Sequence, residues 1–136
     1  MAHDPRRLER AQRLMRVQEQ MRRVAEIELA ATRDRAAAVE ADRASLLAAL
    51  GTGQFGELML VAANRRLQGL AVQATEIEAE RTRQADILRE RGLAEKRAEA
   101  LVDRAVEAQA KETERRALLD CLDGLGQRRP GDASLP

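Results

Sequence analysis

The segment Gly51-Thr52-Gly53-Gln54-Phe55-Gly56 decides how this chain folds. Three glycines in six residues form its clearest punctuation, because glycine is a poor helix former and a good turn former. No glycine precedes Gly51, and the prolines stand at 5, 130 and 136, leaving 124 consecutive residues (6–129) without proline. On the N-terminal side, residues 6–50 are rich in Ala, Leu, Arg, Glu and Gln, with Asp4 placed to cap a helix and Pro5 in its first turn. On the other side, helical composition resumes at Glu57 and runs to Leu122. Gly124 and Gly126 then end it, and residues 123–136 read as a disordered tail. A short glycine-rich break favours a hairpin over a continuous parallel dimer, since helix–helix connections commonly take about 2–8 residues.

The expected fold is therefore all-α: one domain forming a long antiparallel two-helix coiled-coil hairpin, with helix 6–50, turn 51–56 and helix 57–122. The second helix is the longer. Counted from the turn, residues 57–101 face the first helix and 102–122 overhang its N-terminus by about 30 Å. In the first helix, Leu14, Val17, Met21 and Val24 step by 3, 4 and 3, the spacing of a heptad seam. Strict continuation puts Glu28, Arg35 and Asp42 in that seam, so the pattern is expected to shift through Ile27, Ala31, Ala38 and a cluster at Leu46, Leu47 and Leu50. In the second helix one frame joins Leu67, Leu70, Ala74, Ile77, Leu88, Ala98, Val102 and Ala105. It also admits Arg81, Gln84, Arg91 and Glu95. Glu9–Arg13, Glu19–Arg23, Glu107–Lys111 and Glu112–Arg116 stand four apart, each worth about 0.2–0.5 kcal/mol to a helix.

Composition agrees. Of 136 residues 35% are charged, 26 are Ala, and Phe55 is the only aromatic. A compact globular core of this size would be thin, because aromatics bury roughly 150–250 Å² each. High charge of both signs with much Ala and Leu is the composition of a long helix or coiled coil. The formal net charge of +1 argues against a polyanion binder. No secretory signal and no membrane-length apolar run is visible, and a single cysteine forms no internal disulfide, so a cytoplasmic protein is expected.

Groups for chemistry are few. The turn matches the dinucleotide fingerprint Gly51-x-Gly53-x-x-Gly56, but that motif needs a strand before it and a sheet around it. A hairpin turn is the better reading. His3 is the only histidine and Cys121 the only cysteine, so no metal cluster is expected, nor any cofactor, small-molecule substrate or enzymatic activity. Cys121, among Leu118, Leu119 and Leu122, reads first as a small apolar contact.

Two features admit a plain and a functional reading. Residues 6–23 hold seven Arg against two Glu, a solvated face or else an electrostatic docking end for an acidic partner. Nucleic acid is not expected there, since no aromatics interleave the arginines. Phe55 either caps the open end of the seam or, with Leu58, Met59 and Leu60, forms an exposed anchor.

With hairpin, lengths and charge in view, the sequence resembles the FliJ family of bacterial flagellar export proteins. Lys96-Arg97-Ala98-Glu99-Ala100-Leu101 matches a Lys-x-x-Glu-x-Leu-like stretch common in that family's second helix, and Arg115-Arg116 with Leu118, Leu119 and Leu122 fits its charged C-terminal segment. Phe55 and Met59 keep the family's turn-proximal spacing of an aromatic and Leu, with Met in place of Leu. The resemblance implies a non-enzymatic stalk whose paired ends sit in a hexameric export ATPase ring, while other surfaces touch the export gate and export chaperones. It implies that Arg6, Arg7, Arg10, Arg13, Arg115, Arg116, Leu118, Leu119 and Leu122 contact the ATPase, and that Phe55 and Met59 face the gate. Its place would be the cytoplasm, at the inner membrane only through partners. The alternative is a structural coiled coil that self-associates into a helical bundle.

Overall fold

The computed structural model describes residues 4–127. It is all-α, an antiparallel hairpin of two long helices packed against each other: α1, Arg7–Thr52, and α2, Glu57–Gly126. No strand occurs among the described residues. Asp4 starts α1 as its sequence position suggests. Its Oδ1 accepts from the Arg6 amide at 2.9 Å and its carbonyl from the Arg7 amide at 3.1 Å. That satisfies amides which a helix start leaves without intrahelical partners.

The turn is shorter than six residues. Gly51 and Thr52 complete the last turn of α1, and the Thr52 hydroxyl donates to the Ala49 carbonyl at 3.2 Å, leaving only residues 53–56 outside the helices. No residue among those described has positive φ, so these glycines serve as something other than left-handed hinges. At Gly53 the reason is space. A β-carbon there would lie 2.9 Å from Phe55 Cζ, because the ring folds back over Gly53. At the far end α2 runs through Gly124 to Gly126, past the expected stop at Leu122. Of the expected tail, 123–126 are thus helical and 128–136 lie outside the described residues, as does His3.

The chain divides into two compact units: Met1–Val17 with Glu95–Pro136, and Gln18–Ala94. In Gln18–Ala94 the buried and half-buried positions of α1 include Arg22, Ala25, Leu29, Thr32, Ala36, Val39, Leu46 and Leu50. They step strictly by 3 and 4 once the exposed Arg43 is counted. This frame lies one residue beyond the expected one. Val24 is 52% exposed and Ile27 68%, and Leu14, Val17, Ala31, Ala38 and Leu47 are exposed too, so the expected seam is corrected there, while its Met21, Leu46 and Leu50 are half-buried. The stripe Leu14-Val17-Met21-Val24 is more apolar locally, but extended it meets Glu28, Arg35 and Asp42. The observed frame meets Arg22 and Arg43, but it sets Leu29, Val39, Leu46 and Leu50 where the other sets Glu28, Ala38, Ser45 and Ala49, and burial over the full helix length wins. On α2 the expected frame holds in most places: Leu67, Ile77, Gln84, Leu88 and Arg91 are half-buried and Leu70 buried, but Ala74 and Arg81 are exposed and Glu80 turns inward.

Polar groups bridge the two helices in this unit. Arg35 Nη2 lies 2.9 Å from Glu80 Oε2, and Glu80 Oε1 accepts from Gln84 Nε2 at 3.1 Å. Arg35 also donates to the hydroxyl of buried Thr32 at 3.1 Å, and that hydroxyl donates to the Glu28 carbonyl at 3.1 Å. Arg66 approaches Asp42 at 3.8 Å nearer the turn. The two heptad frames and these contacts set Leu50 against Ala63 and Leu29 against Gln84 in antiparallel layers. In that register residues 57–60 lie beyond Thr52, the end of α1, with no helical residue opposite.

In the other unit Ala11, Ala98 and Ala105 are buried, and Leu8, Met15, Val102 and Ala108 half-buried. Ala105 is only 2% exposed, which moves the expected start of the overhang at residue 102. Every residue from Thr113 to Gln127 is exposed. Within this unit burial thus continues along α2 past residue 102, and the uncovered end of the helix begins at Thr113.

Candidate partner-binding surfaces

Three surfaces emerge, two in Gln18–Ala94 and one in the unit that joins the two termini. The first is the tip. Leu58, Met59, Leu60 and Val61 follow one another through the first turn of α2, so their side chains point all round the helix. All four are exposed, Leu58 to 85%. A helix apolar on every side is normally enclosed. Phe55 is 36% exposed and lies over Gly53 as part of the turn's own packing. Met59, four residues on, is exposed, so the tip's outward apolar surface is mainly that of residues 58–61.

The second is a cleft of about 280 Å³ lined by Gln20, Met21, Val24, Ala25, Glu28, Ile87 and Arg91. Arg91 crosses it, its Nη1 3.9 Å from Met21 Sδ. Sequence reasoning missed the cleft by assigning Met21 and Val24 to the seam. Once the seam is placed one residue on, Met21 on α1 and Ile87 on α2 both flank it on the same side, which is the signal that marks this cleft.

The third surface carries most of the sequence-predicted partner residues, and the structure separates them into two sets. Arg7, Arg10, Ala11, Leu14 and Leu101 enclose a hollow of about 220 Å³. Arg10 pairs with Asp4, while Arg6, Arg7 and Arg13 are exposed and form no ion pair with any described residue. Arg115, Arg116, Leu118, Leu119 and Leu122 are all exposed on the part of α2 beyond this hollow, with Leu125 continuing the leucines. The arginines at 6–13 and the 115–122 segment are not assembled into one site. Cys121 is exposed, so it makes no apolar contact of the kind expected within the chain.

Glu112 organises the approach to the leucine face. Arg115 Nη2 reaches its Oε1 at 2.8 Å and Arg115 Nε its Oε2 at 3.1 Å, a two-pronged grip, while Arg116 Nε reaches Oε1 at 3.3 Å. The Arg115 hydrogen bonds, aided by the charges of both arginines, hold the Glu112 carboxyl down to about 2, against a partial desolvation that pushes the other way. Arg115 rises correspondingly above its ordinary value. One carboxylate thus offsets part of the charge of both predicted contact arginines.

Among the described residues no group of three His, Cys, Asp or Glu side chains is placed to hold a metal ion, and no helix is long and apolar enough to cross a membrane. Compared with known proteins, the chain matches no family model, no curated protein and no solved structure.

Proposed function

We propose that this chain is a non-enzymatic coiled-coil component of the flagellar or type III protein export apparatus, a stalk that couples the export ATPase ring to the export gate and export chaperones. It acts in the cytoplasm and reaches the inner membrane only through those partners. The observation that carries this reading is the exposed helical end Thr113–Gly126, where Leu118, Leu119, Leu122 and Leu125 stand in water on a helix that the rest of its unit leaves uncovered. Leucine exposed along one helical segment is costly unless a partner covers it, at roughly 1.5–3 kcal/mol per side chain. The FliJ-like stretch Lys96–Leu101 and the arginines at 6–13 supply the family expectation and the attraction to an acidic rim. The test is co-purification with the export ATPase. Reversing Arg6, Arg7, Arg10 and Arg13 to Glu is expected to abolish association at moderate salt, and unchanged association contradicts the proposal.

A self-associating scaffold is the second reading, favoured by the apolar cleft between Met21, Val24 and Ile87, which a helix of another hairpin could fill. A Val24→Asp variant that loses self-association supports it.

A further inference from the structure

The tip of α2 is written as a self-complementary helix. Residues 44–64 contain one charged residue, Glu57, in a chain that is 35% charged. Arg65 and Arg66 follow immediately. The segment reads Glu57-Leu58-Met59-Leu60-Val61-Ala62-Ala63-Asn64-Arg65-Arg66: an acid, four large apolar residues, two alanines and an asparagine, then two bases.

We infer that two copies of this chain pair through their tips, the first turns of α2 lying antiparallel about a two-fold axis between Val61 and Ala62. Leu58, Val61, Ala62 and Arg65 are spaced i, i+3, i+4 and i+7, share one helix face, and are all exposed. A two-fold contact requires a surface that complements itself. Read antiparallel, this face sets Val61 against Ala62 of the second copy, large against small, on both sides of the axis. Leu58 lies along the aliphatic stem of the second copy's Arg65, whose guanidinium then reaches Glu57. In the single chain Glu57 and Arg65 form no ion pair with any described residue, so both are available. Arg66 is already engaged with Asp42 and adds positive potential on the same side.

The want of other charge within 44–64 leaves no like-charge repulsion between identical tips. Of the four apolar residues 58–61 only Leu58 and Val61 lie on this face, so the contact is small for a permanent interface. A weak dimer follows. It would cover one face of the tip in the free protein and leave the leucines at 118–125 untouched, so it does not depend on the proposed role in export.

Sedimentation equilibrium of the full chain over a wide concentration range tests this. The wild type is expected to shift from monomer to dimer, and Leu58→Asp to weaken dimerisation at least tenfold. Glu57→Arg and Arg65→Glu are each expected to weaken it severalfold, and the double exchange Glu57→Arg/Arg65→Glu to restore it. Val24→Asp, in the side cleft, is expected to leave it unchanged. Circular dichroism checks that each variant keeps its helix. A wild type that stays monomeric overturns the inference, as does a dimer lost with Val24→Asp but kept with Leu58→Asp. A double exchange as weak as its singles overturns it too. Association with the export ATPase is read on separate residues, Arg6 to Arg13, so the two ideas fail independently.

Discussion

Arg35 on α1 and Glu80 on α2 meet at 2.9 Å across the hairpin, and their contact pins one helix against the other. Both side chains are partly exposed, and Arg35 also holds buried Thr32. A double-mutant cycle with Arg35→Ala and Glu80→Ala should give a coupling of about 0.5 kcal/mol, as for exposed ion pairs, shrinking with added salt. Denaturant unfolding measures it. The value of the pair lies more in register than in stability, since a shift of α2 by one residue would separate it.

Gln84 should be a place where the hairpin can be strengthened. Its amide nitrogen donates to Glu80, but its Oε1 is buried with no partner. An unsatisfied buried oxygen costs about 1–3 kcal/mol, and the position faces the seam. Gln84→Leu should raise stability by about 1 kcal/mol, seen as a higher denaturation midpoint at unchanged slope. A drop in stability would mean that the amide is better satisfied than its surroundings indicate.

Gly53 and Phe55 make a local test of the turn. Adding a β-carbon at Gly53 places it within 3.0 Å of two ring carbons, so Gly53→Ala must displace the ring. Because Phe55 is the only aromatic, the phenylalanine fine structure in near-ultraviolet circular dichroism reports on it alone. That signal should change in Gly53→Ala while helix content stays within a few per cent. Gly51→Ala, where nothing lies within 4 Å, should leave it unaltered.

Acid should loosen the start of the overhang. The Glu112 carboxyl is held at about 2, below its ordinary 4.5, chiefly by the hydrogen bonds from Arg115. A carboxyl lowered in the folded state contributes its stabilisation above the unfolded value and loses it as pH falls from about 4.5 toward 2. Carbon-detected NMR titration of Glu112 should therefore place its midpoint near the lower value, and Arg115→Ala should move it back up. The contact is confined to one helical turn and both arginines are exposed, so global stability should respond little.

Much of this architecture was legible, and the misses have physical causes. The frame of α2 reads correctly at Leu67, Leu70, Ile77, Leu88, Ala98, Val102 and Ala105, while Ala74 and Arg81 of that frame are exposed. On α1 two stripes one residue apart compete. The richer local one, Leu14 to Val24, outweighs the alanines and Thr32 of the true seam unless the helix is followed to Leu50. The exposed state of Leu58 to Val61 and the late start of the overhang depend on the offset between the helices. Local propensity carries no record of that offset. The roles of Arg6 to Arg13 as exposed cations could be read directly, but the sharing of Glu112 between Arg115 and Arg116 required coordinates. Spacing alone pointed only to Arg116.

The most direct test of the export role is the affinity of the purified chain for the export ATPase ring, measured by titration calorimetry with Leu118→Asp/Leu122→Asp beside the wild type. Both leucines are fully outside the seam, so the variant should retain its helix content. The prediction is a loss of at least tenfold in affinity, or about 1.4 kcal/mol or more, with Leu58→Asp as an unaffected control. Equal affinity of the double variant and the wild type would contradict the account.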